Sequence, residues 1–317
     1  MNVGIDLGGT GIKVGVVDDA GHILHKGALP TMPERGHDAV IADMARLTRQ
    51  VIAEAGMDTR DMDCVGVGIP GIEDVRTGIV PLCTNLNWHD VPLRAQLSSL
   101  LEKPVFVAND ATVAALAEAT VGASKGTRNS VLITLGTGVG GGVILDGKPF
   151  VGTHGVATEV GHMVVKFDGV MCTCGHRGCW ERYASATALI REGKLSAQTN
   201  PDGMIVRSVE NNLDAITAKT VIDCARAGDV DAKKLFDDYV FWIAVGLGNL
   251  VNAYDPEVFV LGGGVSAAGD FLLLPVREKL KDAVFFRTMP YAQVELAQLG
   301  NDAGIIGAAM LGQGNRE

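Results

Sequence analysis

Residues 3–21, VGIDLGGTGIKVGVVDDAG, run as an apolar strand, a Gly-Thr turn, a second apolar strand and an Asp-containing turn before glycine. That order reads as a β-hairpin, with glycine supplying backbone conformations that other residues resist. Residues 132–149, LITLGTGVGGGVILDGKP, repeat the pattern. Setting Gly8 against Gly136 also sets Leu7 against Leu135 and Asp18 against Asp146. A repeat at such long spacing predicts two related α/β halves with a cleft between them, rather than a short-period solenoid.

The segments around the hairpins agree. AVIADMARLTRQVIAEAG (39–56) has helical spacing, and CVGVGIPG (64–71) is a short buried strand ending in a Pro-Gly turn. VFVAND (105–110) followed by ATVAALAEATVGA (111–123) is a strand-to-helix step, 220–255 read as helices, and VFVLGGGVSAAGD (258–270) repeats the strand-then-glycine theme. The final GIIGAAMLG (304–312) is a helix of small apolar residues. Alternating strands and helices place the chain in the α/β class.

With 317 residues, 47% of them hydrophobic, the chain is long enough for two domains or one large α/β unit. A net charge of -10 and the lack of a basic run argue against a nucleic-acid partner, because phosphate binding needs clustered Lys and Arg. The N-terminus reads as a strand rather than a signal peptide, and no apolar run approaches the ~20 residues of a membrane span. Cys64, Cys83 and Cys224 are scattered singly among apolar neighbours, a usage that fits a reducing cytosol, so a cytoplasmic protein is expected.

The other three cysteines lie in EVGHMVVKFDGVMCTCGHRGCWE (159–181). His162, Cys172, Cys174 and Cys179 form the ligand set of a closed tetrahedral zinc site, which holds structure and leaves no open position for chemistry. Disulfides are the alternative reading. His176 is the rival imidazole, expected to be exposed in its tight turn. Trp180 reads as packing.

Glycine lets a backbone approach a ligand closely, and successive N–H groups in such a turn can cradle phosphate oxygens. DLGGTGIK therefore reads as one phosphate loop, with Asp6 able to hold Mg²⁺ through water and Lys13 as a cationic partner. TLGTGVGGG reads as a second loop. Neither has the Walker A spacing, and LGGGVS lacks that of a dinucleotide fold. At the step from strand to helix, Asp110 reads either as an N-cap or as a general base at the mouth of the sheet.

Taken together, DLGGTGIK, GIPG, VAND, LGTGVGGG, EVGH, CTCGHRGCWE and LGGGVS resemble the bacterial ROK family (repressors, ORFs and sugar kinases) from Gly4 to Gly312. Within it, NLNWHDVPL (85–93) and its surroundings are most similar to the glucokinases. The resemblance implies an actin-like ATPase (ribonuclease H-like) fold. It implies a smaller N-terminal α/β domain from 1–116 plus 302–317, and a larger α/β domain from 117–301 carrying the zinc segment.

The resemblance further implies that Asp6, Gly8, Gly9, Thr10 and Lys13 meet phosphate on one side, and Thr134, Gly136, Thr137 and Gly138 on the other. Gly262, Gly263 and Gly264 would lie on the adenosine side. Asp110 matches the family's catalytic base, which accepts the proton of the sugar 6-hydroxyl as it attacks the γ-phosphoryl group of ATP. Gly71, Asn109, Asp110, Glu159, His162 and Glu181 match its sugar-binding positions, and His162, Cys172, Cys174 and Cys179 its zinc ligands. Carboxylates suit a ligand that offers only hydroxyls, and His162 can bind metal through one ring nitrogen while its other N–H meets the sugar.

The expected activity is ATP-dependent phosphorylation of a hexose at its 6-hydroxyl, glucose first, with structural Zn and with Mg bound to ATP. N-acetylmannosamine, N-acetylglucosamine, fructose or allose are the alternative substrates. A sugar-responsive repressor is the second class; such members carry an N-terminal helix-turn-helix region, whereas here the first phosphate motif begins at Asp6. A zinc-stabilised interaction module without catalysis is the third. Related enzymes imply a homodimer or homotetramer, and the apolar residues from Phe241 to Leu250 could serve an interface or the core.

Overall fold

The computed structural model describes residues 1–288 and 290–312. The chain begins with strands β1 (Asn2–Leu7), β2 (Gly11–Val17) and β3 (Ile23–Pro30), then helix α1 (His37–Glu54) and β4 (Cys64–Ile69). A small sheet follows, β5 (Ile72–Asp74), β6 (Ile79–Cys83) and β7 (Trp88–Val91), and then α2 (Leu93–Leu101), β8 (Val105–Asn109) and α3 (Asp110–Thr120). The second repeat supplies β9 (Ser130–Leu135), β10 (Val139–Leu145) and β11 (Lys148–Pro149). Beyond it come α4 (Glu181–Ala184), α5 (Ala186–Thr199), α6 (Met204–Ser208), α7 (Ala218–Arg226) and α8 (Val230–Tyr254). The chain then adds β12 (Val258–Gly262), α9 (Asp270–Ala283), β13 (Gln293–Leu296) and α10 (Ala303–Met310).

The sequence repeat is a repeat of topology. One sheet has the order β3-β2-β1-β4-β8 and the other β11-β10-β9-β12-β13, each an antiparallel hairpin extended by strands from later in the chain. β1 and β9 are both six residues long and end in leucine, and β2 and β10 are both seven. The chain packs as two compact units: Met1–Leu132 with Gly142–Thr158 and the segment from Gln298, and Ile133–Gly141 with Glu159–Ala297. Residues 313–317, assigned above to the smaller domain, lie outside the described residues.

In the first unit, the strands alternate large apolar residues with glycine, and each face has its own use. Val3, Ile5 and Leu7 of β1, Val14 and Val16 of β2, and Val65, Val67 and Ile69 of β4 join one core with Met44 and Leu47 of α1 and Leu93 and Leu97 of α2. The opposite face carries a row of glycines, because Gly15, Gly4 and Gly66 are cross-strand partners. Helix α10 lies on that row: a methyl on Gly4 would overlap the Ile305 carbonyl, and one on Gly66 the Ala308 carbonyl. Helix α3 packs beside it, with Val113 2.7 Å from where a Gly68 Cβ would stand.

Glu118 ties this unit together from α3. Its buried carboxylate accepts hydrogen bonds from the backbone N–H groups of Ala123 (2.7 Å), Gln298 (3.0 Å) and Leu299 (3.0 Å). Three N–H groups compensate a buried charge that would otherwise be costly.

The second unit is built around α8, a 25-residue helix capped by Asp229, whose side chain accepts from Ala232 N–H at 2.8 Å. Val240, Ile243, Ala244, Leu247 and Leu250 are buried, so most of the apolar run serves the core, while Phe241 is 47% exposed. Among the described residues, no helix is long and apolar enough to cross a membrane.

Candidate functional site

The phosphate-loop expectation places Asp6 and Lys13 on one hairpin, and they are cross-strand partners joined by an ion pair of 3.0 Å. Asp6 lies on the face that receives α10, where Gly304 stands against its side chain. The turn between the strands is closed by Gly8 N–H donating to Gly11 O at 2.8 Å, and Thr31 braces it by donating its hydroxyl to Gly8 O at 2.7 Å. Gly9 approaches Asn85, and Thr10 is exposed.

β8 ends at Asn109, which is the N-cap of α3: its Oδ1 accepts from Ala111 N–H at 2.9 Å and Thr112 N–H at 3.4 Å. The capping role that the sequence offered to Asp110 therefore belongs to its neighbour. Asp110 is the first helical residue, exposed, with Oδ1 accepting from Ala111 N–H at 2.8 Å. A carboxylate there is favoured by the positive end of the helix. The Asn109 side-chain amide also donates to Gly71 O at 3.3 Å, which joins the VAND and GIPG segments. Behind Gly71 stands Cys83, whose thiol burial pushes above its ordinary value, with the Asp110 charge adding to the shift.

In the second unit, Thr134 is the penultimate residue of β9, which ends at Leu135, and the turn Gly136–Thr137–Gly138 leads into β10. Gly136 N–H donates to Gly138 O at 3.0 Å. The start of α5 fastens to this turn: Ala186 N–H, one of the donors a helix N-terminus leaves unsatisfied, meets Gly136 O at 2.8 Å, and the Thr187 hydroxyl donates to Thr137 O at 2.7 Å. Gly262 closes β12, and Gly263 and Gly264 follow it beside the end of β9. Gly263 has φ +82 and any Cβ there would come within 2.6 Å of Leu135 O, so a side chain is barred twice. Two glycine-rich turns thus meet at the C-terminal ends of adjacent strands, where open α/β sheets bind ligands.

The cysteine segment folds as a compact knuckle. His162 closes a 3-10 turn, and short bridges pair Val164 with Cys179 and Met171 with Arg177. The ligand atoms of His162, Cys172, Cys174 and Cys179 all lie within 4.8 Å of one another. Tetrahedral zinc, with bonds of about 2.3 Å to sulfur and about 2.0–2.1 Å to nitrogen, needs ligands roughly 3.5–3.8 Å apart. Cys174 and Cys179 sulfurs are 3.5 Å apart, and Cys172 Sγ is 3.7 Å from His162 Nδ1. The donor set fits that ion. Burial, with the neighbouring thiols adding to it, pushes Cys179 up to about 12, so a bound cation is what would hold this sulfur as thiolate. His176 is exposed, with Nδ1 3.6 Å from Cys174 Sγ.

The knuckle runs directly into two fixed residues. Trp180 is fully buried, as its reading as packing requires, and donates Nε1–H to Trp242 O at 2.7 Å. Glu181 opens α4 and lies against Gly138, with Oε2 accepting from Val139 N–H at 3.1 Å. The structure therefore brings Glu181 to the glycine-rich turn. Glu159 is exposed and immediately precedes the turn that His162 closes, whose other residues, Val160 and Gly161, are buried.

Sequence reasoning missed the braces Thr31, Thr187 and Glu118. An isolated Thr or Glu carries no periodic signal, and Gly8, Thr137, Gln298 and Leu299 lie far along the chain from the side chains they meet.

A family model for the ROK family matches residues 2–315. A glucokinase of Streptomyces coelicolor is 38% identical over 318 residues, which cover 98% of this chain and 97% of that protein. The solved structure of a ROK family glucokinase from Streptomyces griseus, in complex with glucose and AMPPNP, is 37% identical, with a TM-score of 0.81 and 98% of each chain covered. The ROK hexokinase of Thermus thermophilus is 34% identical, with a TM-score of 0.82 over 98% of this chain and 97% of that one. The paired sheets are those of the actin-like ATPase fold that these sugar kinases share. Sequence and fold agree along nearly the whole length, and the chain belongs to the ROK family.

Proposed function

We propose that the chain is an ATP-dependent hexose kinase that converts glucose to glucose 6-phosphate. The observation that carries this reading is likeness to glucokinases at 37–38% identity across almost every residue, including a structure that holds glucose and an ATP analogue.

In this reading Asp110 is the general base. Its carboxylate accepts the proton of the 6-hydroxyl as that oxygen attacks the γ-phosphorus of Mg·ATP; the bond to the β-phosphate oxygen breaks and ADP leaves. Such transfer depends on positioning and electrostatics more than on covalent chemistry. Asn109, capping α3, fixes the first turn on which Asp110 sits, and the Gly71 carbonyl fixes Asn109 in return. Gly71, Asn109, Glu159, His162 and Glu181 hold the sugar hydroxyls. The turns at Gly8–Thr10 and Gly136–Gly138 hold phosphate, with Asp6 and Lys13 on one side and Thr134 on the other, and Gly262–Gly264 serve the nucleoside end.

His162, Cys172, Cys174 and Cys179 would hold zinc, which supplies rigidity to the knuckle and takes no part in the transfer. Cys64, Cys83 and Cys224 are single buried thiols and the other three cysteines form a metal-ligand set rather than disulfides, a usage that supports the cytoplasm as the compartment. A homodimer or homotetramer, the assembly that the family resemblance implies, is part of this reading.

The test is a panel of glucose, fructose, allose, N-acetylglucosamine and N-acetylmannosamine with Mg·ATP. Glucose is expected to have the highest kcat/KM. Strong activity on another sugar without turnover of glucose would replace the substrate, and no turnover of any sugar would overturn the kinase.

A further inference from the structure

Each hairpin turn is held from behind by one threonine hydroxyl and one backbone N–H. At the first turn, Thr31 donates its hydroxyl to Gly8 O at 2.7 Å and its own N–H to Thr10 O at 3.2 Å. At the second, the Thr187 hydroxyl donates to Thr137 O at 2.7 Å and Ala186 N–H to Gly136 O at 2.8 Å. Thr31 directly follows β3 and Thr187 stands in the first turn of α5, so neither belongs to the repeated hairpins themselves. Two unrelated segments thus supply the same kind of brace.

The braces decide which way the turns point their donors. In a planar trans peptide, the carbonyl of one residue and the N–H of the next face opposite sides. A carbonyl pinned at the back therefore sends the following N–H to the front. Gly8 O pinned by Thr31 turns Gly9 N–H outward, and Thr137 O pinned by Thr187 does the same for Gly138 N–H. The bond from Ala186 to Gly136 O likewise turns out Thr137 N–H. Among the described residues, none of these three N–H groups meets an acceptor in the chain. Gly9 and Gly138 are partly exposed and Thr137 is exposed, so the front of each turn is accessible. Backbone N–H groups turned out in this way are suited to phosphate oxygens.

We infer that Thr31 and Thr187 are positioning residues for the phosphoryl donor, and the inference rests on the reading of the two turns as its phosphate sites. Neither hydroxyl touches the nucleotide. Each acts through one carbonyl, which fixes the direction of one N–H that does: Gly9 through Thr31, and Gly138 through Thr187. Glycine leaves these peptides free to rotate, so without the hydroxyl the N–H is no longer held toward the ligand. Serine carries the same donor, whereas valine keeps the branched shape and loses it. Glucose has no phosphate, so its binding does not depend on how these donors point.

The experiment is isothermal titration of the whole protein with Mg·AMPPNP and, separately, with glucose, in wild type and in Thr31→Val, Thr31→Ser, Thr187→Val and Thr187→Ser. Each valine variant is expected to bind Mg·AMPPNP roughly tenfold more weakly, the size expected when a carbonyl loses its donor, while glucose affinity stays within about twofold. Each serine variant is expected to return Mg·AMPPNP affinity toward the wild-type value. Thr187 is exposed, so its replacement does not threaten folding, and for the buried Thr31 the glucose titration reports whether the variant is folded. A valine variant that binds Mg·AMPPNP like wild type overturns the assignment of that threonine. Glucose affinity falling in step with that of Mg·AMPPNP, or a serine variant as weak as its valine counterpart, overturns it as well. Failure of wild type to bind Mg·AMPPNP would instead overturn the reading of the turns as phosphate sites, and would be seen before any variant is compared.

Discussion

The Glu181 carboxylate accepts a hydrogen bond from the Val139 N–H at 3.1 Å, and this joins the end of the cysteine knuckle to the second glycine-rich turn. Glu181 follows Trp180, which is buried against α8, so the carboxylate leaves a fixed point. A residue expected to serve the sugar also braces the glycine-rich turn proposed to hold phosphate. Glu181→Ala is expected to raise KM for both glucose and ATP, because Val139 N–H loses its acceptor. Glu181→Gln keeps an acceptor oxygen and should return KM for ATP toward the wild-type value while glucose binding stays weak. Steady-state kinetics with each substrate varied separates these, and equal ATP KM values in all three proteins would show that the contact does not shape the turn.

Metal removal extends the same argument. Four protein ligands imply about one zinc per chain, measurable by elemental analysis. Stripping it with a chelator is expected to lower the unfolding temperature and to raise KM for ATP together with KM for the sugar, since the knuckle leads into Glu181. An unchanged unfolding temperature after complete removal would contradict a structural site.

Glycines of two kinds can be told apart by substitution. Gly66→Ala places a methyl against the Ala308 carbonyl, a backbone obstacle that cannot rotate away, and a destabilisation of about 1–3 kcal/mol or more is expected. Gly136→Ala meets no atom within 4 Å, so the urea midpoint should hold while ATP affinity falls. Equal loss of stability in both would remove the distinction between packing glycines and ligand-facing ones.

Glu73 gives the fold a pH dependence near neutrality. Burial raises its carboxyl from 4.5 to about 7, and the paired Arg94 guanidinium offsets only part of that effect. Between those values the native protein holds a proton that the unfolded chain has released, so stability falls as pH rises through this window. Glu73→Gln cannot release that proton, and its urea midpoint should change less between pH 5 and pH 8. The same slope in wild type and variant would show that Glu73 does not titrate there.

Much of this was legible in advance where the signal was periodic or repeated. The two hairpins align through Leu7 with Leu135 and Asp18 with Asp146, and the strands they predict have equal lengths in the structure. The ligand set of the knuckle was legible because its spacing is short. Other features depend on partners far along the chain. Glycine in VGID and CVGVG reads the same whether it faces phosphate or a helix, and only the placement of α10 shows that Gly4 and Gly66 are there for packing. Asn109 and Asp110 are both good capping residues, and the choice between them is made by the backbone at the end of β8. The β5–β7 sheet mixes polar and apolar residues without regular alternation, which is why its strands gave no clear signal.

Asp110 is the residue on which the proposed phosphoryl transfer turns. The decisive measurement compares wild type with Asp110→Asn, reading glucose-dependent ADP formation alongside glucose binding by calorimetry. Loss of a positioned general base is expected to lower kcat by roughly 10²–10⁴-fold while glucose still binds. Turnover near the wild-type rate in the variant would contradict it.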